Sequence, residues 1–164
     1  MKIRTVILAG LFAALIFAAT AYILHIPVGN GYIHVGDALI YVAAAILPLP
    51  YAAAAAAIGG ALADVLTGAP MWAPFTLVIK ALLVLPFTSK RGTLMCRRNA
   101  AAALIALATT TVGYYAAEVI LYGSFFSPLV SVPFSVLQAG ASAALFFFIA
   151  AAMDKAGLKQ RVQP

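Results

Sequence analysis

Charged residues are scarce in this 164-residue chain, and their scarcity excludes a water-soluble domain. Only 9% of the residues are charged and 65% are hydrophobic, whereas soluble domains carry about 25% charged residues. The single cysteine, Cys96, excludes an intramolecular disulfide and a CxxC metal or redox site. The pattern GxxxxGKS/T is also absent, so the chain has no P-loop of its own for ATP. The scarcity of charge and the high share of hydrophobic residues indicate an integral membrane protein.

Acidic residues are the rarer kind of charge, with four against ten basic residues and a net charge of +6. Nine of the basic residues flank apolar segments, in clusters at 2–4, 90–98 and 155–161. This is the positive-inside pattern of membrane proteins, and it does not indicate nucleic acid as a partner. With the amino terminus placed in the cytoplasm, the outer connections contain no basic residue. The pattern predicts that both termini are cytoplasmic, in a plasma membrane of prokaryotic type.

Six apolar segments predict an all-α integral membrane protein, a bundle of six transmembrane helices in a single domain, 1–164. The expected helices cover about 3–26, 37–47, 51–67, 73–88, 99–122 and 132–153. The second is too short to cross a bilayer upright, and the Ala-rich third is expected to lie buried at the centre. Residues 1–21 also resemble a secretory signal, but the apolar run continues to Ile26, which favours a helix.

Five polar residues lie on five of these helices at similar depth in the expected outer half. They are Asp37, Asp64, Lys80, Glu118 and Gln138. A charged side chain within the bilayer costs at least about 2.5–3.5 kcal/mol, so it persists with a partner and a role. The layer therefore predicts a polar interior cavity that opens to the outside.

Polar residues at helical spacing extend this layer along one face of the fifth helix and one face of the sixth. These faces carry Thr111, Tyr115, Glu118 and Tyr122, then Ser135, Gln138 and Ser142. The loop 27–36 is expected to cover the cavity mouth with hydrogen-bonding and stacking groups, including Tyr32. The candidate substrate-binding residues are Asn30, His34, Asp37, Lys80, Tyr115, Glu118 and Gln138.

Lys80 has two interpretations that the sequence leaves open. It forms a structural ion pair with Asp64, because buried charges are mostly paired, or it contacts the ligand directly. Glu118 has no obvious second cation, which favours a role in binding a ligand or a proton. No metal site and no cofactor is expected.

The chain resembles the substrate-binding S-components of energy-coupling factor (ECF) vitamin transporters over nearly its whole length. The order and spacing of five motifs carry the resemblance. They are Gly31-Tyr-Ile-His-Val-Gly-Asp37, Gly59-Gly-Ala-Leu-Ala-Asp64 with Thr67-Gly68, Pro74-Phe-Thr-Leu-Val-Ile-Lys80-Ala81, Gly113-Tyr-Tyr-Ala-Ala-Glu118 and Val132-Pro-Phe-Ser-Val-Leu-Gln138. The chain departs from the pattern at Ser135, where relatives often carry Asn.

The resemblance implies a high-affinity, outward-facing pocket for a water-soluble vitamin or precursor. It implies that Ala9 and Ala13 on the first helix contact a transmembrane coupling subunit, and that two cytoplasmic ATPase subunits supply energy. It also implies delivery of the substrate by toppling of the subunit within the membrane. One acid, one amide and several tyrosines fit a small aromatic heterocycle, with a hydroxymethylpyrimidine or pyridoxine-like compound first and riboflavin, pantothenate and others open.

Three other classes of function stay open at this point. An intramembrane enzyme is the least favoured, since H-E-x-x-H and G-x-S-x-G are absent and no catalytic dyad is evident. A small autonomous carrier or channel acting as a homo-oligomer would need repeated polar rings or flux without ATPase partners. A structural assembly subunit would leave the outer polar layer unexplained.

Overall fold

The computed structural model describes residues 2–23, 26–28 and 31–162, and helices dominate them. The helices are α1 (Lys2–Ala21), α2 (Asp37–Ile46), α3 (Leu49–Leu66), α4 (Ala73–Val84), α5 (Arg97–Tyr122), α6 (Val132–Lys155) and α7 (Leu158–Val162). A 3₁₀ turn, Ser127–Val130, precedes α6, and two short strands, β1 (Ile26–Val28) and β2 (Gly31–Ile33), precede α2. The predicted all-α class is confirmed, with this small hairpin added.

The first helix is shorter than predicted, because it ends at Ala21 and not near residue 26. Ile26–Val28 pairs in antiparallel register with Gly31–Ile33, with Pro27 opposite Tyr32. Proline has no N–H to donate and restricts the preceding residue to extended backbone, so the end of the apolar run forms a strand. The hairpin therefore occupies the position that the sequence assigned to a covering loop.

The short helix α2 is the buried centre of the bundle, a place that the sequence analysis gave to α3. Nine of its ten residues are buried, and it is surrounded by α1, α3, α4 and α6. In contrast, α3 exposes Ile58, Leu62 and Val65 on one face. A short helix is stable at membrane depth when neighbouring helices, and not lipid, surround its ends.

Close helix contacts occur where a glycine removes the side chain. A Cβ atom built on Gly59 of α3 would lie 2.6 Å from the Ala13 carbonyl oxygen of α1. A Cβ on Gly60 would meet Lys80 of α4 at 2.9 Å, and one on Gly113 of α5 would meet Ile79 of α4 at 2.9 Å. Gly59 thus lets α3 approach α1, Gly60 lets α3 approach α4, and Gly113 lets α5 approach α4. Small residues allow such close helix contacts in membrane proteins.

Hydrogen bonds bring the three basic clusters to one end of the molecule. The Arg4 guanidinium donates to the Arg161 carbonyl at 2.8 Å, and Lys159 Nζ donates to the Thr93 carbonyl at 3.3 Å. Both ends of the described chain therefore lie beside the connection between α4 and α5.

Among the described residues, four helices are long and apolar enough to cross a membrane: Ile3–Ala21, Leu49–Leu66, Arg97–Tyr122 and Val132–Lys155. The other two apolar helices, Asp37–Ile46 and Ala73–Val84, are shorter. At 1.5 Å per residue they reach about 15 and 18 Å, against a hydrocarbon core of about 30 Å. The described part of the chain thus contains four full-length candidate spans, and the count of six spans stays a prediction.

Candidate functional site

A buried ion pair joins the start of α2 to the middle of α4. Lys80 Nζ lies 2.6 Å from Asp37 Oδ1, and both side chains are almost fully buried. The sequence analysis offered Asp64 as the ion-pair partner of Lys80, and the structure places Asp37 there instead. The reason is geometric: Asp37 begins a central helix that is shorter than its neighbours, so its carboxylate lies at the depth of Lys80.

Asp64 is buried near the end of α3, close enough to Tyr114 of α5 for electrostatic interaction. Tyr114 itself was missed by the sequence analysis, which selected the adjacent Tyr115. The Lys80 ammonium lies 5.2 Å from the Tyr114 ring centroid, a cation–π distance. The Tyr114 hydroxyl is 3.2 Å from Thr76 Oγ1, one turn before Lys80 on α4. Thr76 and Lys80 are four residues apart, so the sequence indicates that they share one face of α4 and can contact the same residue.

His34 and Gln138 meet on the other side of Asp37. Gln138 Oε1 accepts the backbone N–H of His34 at 3.2 Å, so α6 holds the segment that connects the hairpin to α2. His34 Nδ1 accepts the Gly36 N–H at 3.0 Å, which places the proton of a neutral ring on Nε2. The ring and the Gln138 amide both lie within interaction range of the Asp37 carboxylate.

The second carboxylate oxygen of this cluster has unused hydrogen-bonding capacity. Within residues 2–23, 26–28 and 31–162, buried Asp37 Oδ2 has no donor at hydrogen-bond distance, and the Gln138 amide is a side-chain donor in range of this carboxylate. In the same part of the chain the buried Ser142 hydroxyl has no partner at hydrogen-bond distance, whereas Tyr41 and Thr110 lie within hydrogen-bonding range of each other. Buried polar atoms normally have partners, so this region can receive the donors of a small polar ligand or of water.

Glu118 and Tyr115, near the carboxyl end of α5, bond to the segment that follows the helix. The Ser131 hydroxyl donates to Glu118 Oε2 at 3.0 Å, and the Tyr115 hydroxyl donates to the Phe125 carbonyl at 2.8 Å. Glu118 is half-buried and keeps Oε1 for another donor. Thr111, which shares their predicted stripe, bonds the Leu107 carbonyl of its own helix at 3.0 Å. The predicted polar face of α5 is thus partly occupied by structural contacts.

An aromatic wall stands beside the cluster. The Trp72 ring lies 6.1 Å from Tyr114 and 6.3 Å from Tyr122 between centroids. Aromatic rings at these distances form a surface on which a planar heterocycle can stack. Asn30, also predicted to bind substrate, lies outside the described residues, as does the side chain of Tyr32.

The proposed coupling residues on α1 are less exposed than the small residues beside them. Ala9 and Ala13 are half-buried and pack against the core, while Gly10 and Ala14, one position further, are exposed. The row that the sequence analysis named therefore lies at the edge of the outward face of α1.

The site as a whole combines one cation with three carboxylates. Asp37, Asp64 and Glu118 against Lys80 give a formal charge of minus two, and the cation is already held by Asp37. Such a set can bind hydrogen-bond donors and stack a ring, and it disfavours an anionic ligand.

The comparisons with known proteins agree with this geometry. The family model described as "ECF-type riboflavin transporter, S component" matches residues 1–155. The chain is also similar to a Pyrococcus woesei protein described as "Uncharacterized protein in gap 3'region", with 35% identity over 100 residues. That match covers 60% of this chain and 66% of the relative, slightly less than two thirds of its length. The chain belongs to the family of S components of ECF transporters, which are membrane subunits that bind a small-molecule substrate and not a family of enzymes.

Proposed function

We propose that this single membrane domain captures a water-soluble vitamin or vitamin precursor with high affinity from the outside of the plasma membrane. The observation that carries the proposal is the buried cluster of Lys80, Asp37, His34 and Gln138, which joins α2, α4 and α6 directly below the hairpin. A polar cluster of this kind is costly in a membrane protein and marks a substrate path by default.

The proposed topology has six helices and cytoplasmic termini. The common end that contains Arg4, Thr93 and Arg161 supports it, because that end also carries the basic clusters and basic residues stay in the cytoplasm. Here a transmembrane coupling subunit and two ATPase subunits would act on the chain. We propose Ala9 and Ala13 as the coupling contact, supported by the exposed small residues Gly10 and Ala14 beside them.

For the substrate we propose a neutral, planar heterocycle with donor groups on its edge. The negative formal charge of the site and the aromatic wall of Trp72, Tyr114 and Tyr122 support this class. We propose riboflavin first, with support from the name of the matching family, ahead of the hydroxymethylpyrimidine or pyridoxine-like compound that the sequence favoured. The phosphate group of a phosphorylated vitamin would find no unpaired cation among the site residues named above, because Lys80 is paired with Asp37. We therefore expect flavin mononucleotide to bind at least about tenfold more weakly than riboflavin.

Mass spectrometry of small molecules released from the detergent-purified protein tests the function itself. We expect one vitamin-like compound in stoichiometric amount, with quenching of Trp72 fluorescence when it is added back. If neither a bound compound nor a response to a vitamin panel is found, the proposed substrate-binding role is wrong. Flux through liposomes that contain only this chain would instead favour the autonomous carrier.

Replacing Glu118 by Gln is expected to weaken vitamin binding about tenfold, because a charge-assisted hydrogen bond becomes a neutral one. Ser131 can still donate to the remaining carbonyl oxygen, so the fold at the start of α6 is retained. The dissociation constant from Trp72 fluorescence titration is the measurement.

The matched control is Asp154→Asn, the same acid-to-amide change at the other end of the bundle. Asp154 accepts the N–H groups of Leu94 and Met95 and is remote from the cluster. Its variant should bind the vitamin as the parent protein does. Equal weakening in both variants would show that Glu118 acts through the fold and does not touch the substrate.

A further inference from the structure

A cavity of about 390 Å³ lies between the end of α4 and the start of α5, far from the proposed vitamin site. The residues lining this arginine pocket are Arg91, Gly92, Thr93, Cys96, Arg97 and Arg98. Glu118 lies near the other end of α5, a helix of 26 residues that is about 39 Å long at 1.5 Å per residue. The two sites are therefore independent.

Buried side chains from other elements hold the loop that forms the pocket. Asn99, fully buried, accepts the Thr88 N–H at 2.9 Å and donates to the Leu94 carbonyl at 2.9 Å. Asp154 of α6 accepts the N–H groups of Leu94 and Met95, each at 2.8 Å. These bonds fix the backbone that carries the arginines, so the pocket exists before any ligand arrives.

The positive charge of the pocket is not neutralised by the chain's own side chains. The structure describes all four acidic residues of the chain, and none has a side-chain carboxylate within 4 Å of Arg91, Arg97 or Arg98. Asp154, the acidic residue of this region, uses both carboxylate oxygens on backbone N–H groups. Arg98 donates through Nε to the Pro86 carbonyl at 3.1 Å, which orients its two terminal nitrogens.

We propose that the arginine pocket binds a phosphate group, in the first place the phosphodiester of an anionic membrane lipid headgroup. Guanidinium groups present paired N–H donors that match phosphate oxygens. Basic pockets at the cytoplasmic side of helix bundles bind anionic headgroups in this way. No side chain caps the start of α5 at Cys96, so the first N–H groups of that long helix add to the positive field. A free phosphate compound would use the same contacts.

The test is native mass spectrometry of the purified full-length protein with added phosphatidylglycerol, phosphatidylcholine or inorganic pyrophosphate. The variant is Arg91→Gln with Arg97→Gln, two exposed side chains. The control is Lys155→Gln with Arg161→Gln, which removes the same charge from exposed positions outside the pocket. Removal of the two pocket cations is expected to weaken phosphatidylglycerol binding about 30-fold, with little change in the control.

The outcomes separate the sources of the phosphate. Retention of phosphatidylglycerol over phosphatidylcholine, lost only in the pocket variant, identifies a lipid site. Binding of pyrophosphate without lipid preference, again lost only in the pocket variant, identifies a site for a free phosphate compound. Equal losses in the pocket and control variants, or no loss in either, would overturn the proposal. An unchanged unfolding temperature without lipid shows that the pocket variant is folded.

Discussion

Replacing Lys80 by Met is expected to destabilise the protein by about 3–5 kcal/mol, because it leaves the Asp37 carboxylate buried without its cation. Asp37 is fully buried and Lys80 is 1% exposed, and a neutral water molecule that enters the site does not restore the lost positive charge. The loss includes the cation–π contact with Tyr114. Denaturant unfolding in detergent measures the change, with Trp72, buried at the start of α4, as the fluorescent reporter.

Two further variants decide whether the ion pair is the cause. Lys90→Met removes an exposed lysine and should change stability by no more than about 0.5 kcal/mol. Lys80→Met combined with Asp37→Leu removes both charges, and most of the stability should return, since apolar replacement of a whole buried pair is often neutral. If the single Lys80 variant is as stable as the Lys90 variant, the pair contributes nothing and the central position given to Asp37 is wrong.

A single methyl group at Gly59 is expected to destabilise the protein by about 3 kcal/mol, the upper end for overpacking a well-packed contact. In Gly59→Ala the new Cβ would lie 2.6 Å from the Ala13 carbonyl oxygen and 3.0 Å from Ile16 Cβ. Because the first of these atoms belongs to the backbone of α1, a rotamer change cannot relieve the clash. The two helices must separate, and the unfolding free energy in detergent records the cost.

Gly140→Ala provides the matched control in another long helix. A Cβ at Gly140 meets nothing within 4 Å, so this variant should be more stable by about 0.5–1 kcal/mol from helix propensity alone. The same substitution thus has opposite signs at two positions. A Gly59 variant as stable as the Gly140 variant would show that α1 and α3 are further apart than the structure has them.

The membrane class and the order of the apolar helices could be predicted from composition and charge. The family was predicted from five motifs whose order and spacing resemble those of S-components, and the match over residues 1–155 shows it. The depth of each polar residue was harder to predict, since depth depends on how long each helix is. Asp37 and Lys80 were expected in one layer, with Asp64 as the ion-pair partner of Lys80, whereas the short central α2 brings Asp37 to Lys80. Counting residues from one end of a helix cannot show how deeply a neighbouring helix begins.

The choice between neighbouring residues was the second limit. Tyr115 was selected because it continues a stripe with Glu118, yet Tyr114 contacts Lys80 and Thr76. A stripe shows which residues share a face, and the contacts of α4 and α6 decide what each face meets. The same applies to Ala9 and Ala13, whose spacing was clear and whose half-buried position depends on the contact of α1 with Gly59.

Because α2 is short, the proposed substrate site lies deep in the membrane. The ten residues of α2 give a rise of about 15 Å, half of a hydrocarbon core of about 30 Å. In the proposed topology of six helices with cytoplasmic termini, the carboxyl end of α2 lies at the cytoplasmic boundary. Its amino end, which carries Asp37, then lies near the midplane of the membrane. A molecule bonded there has passed half of the insulating layer by equilibrium binding alone. The ATPases would then have to supply energy for the remaining half and for release.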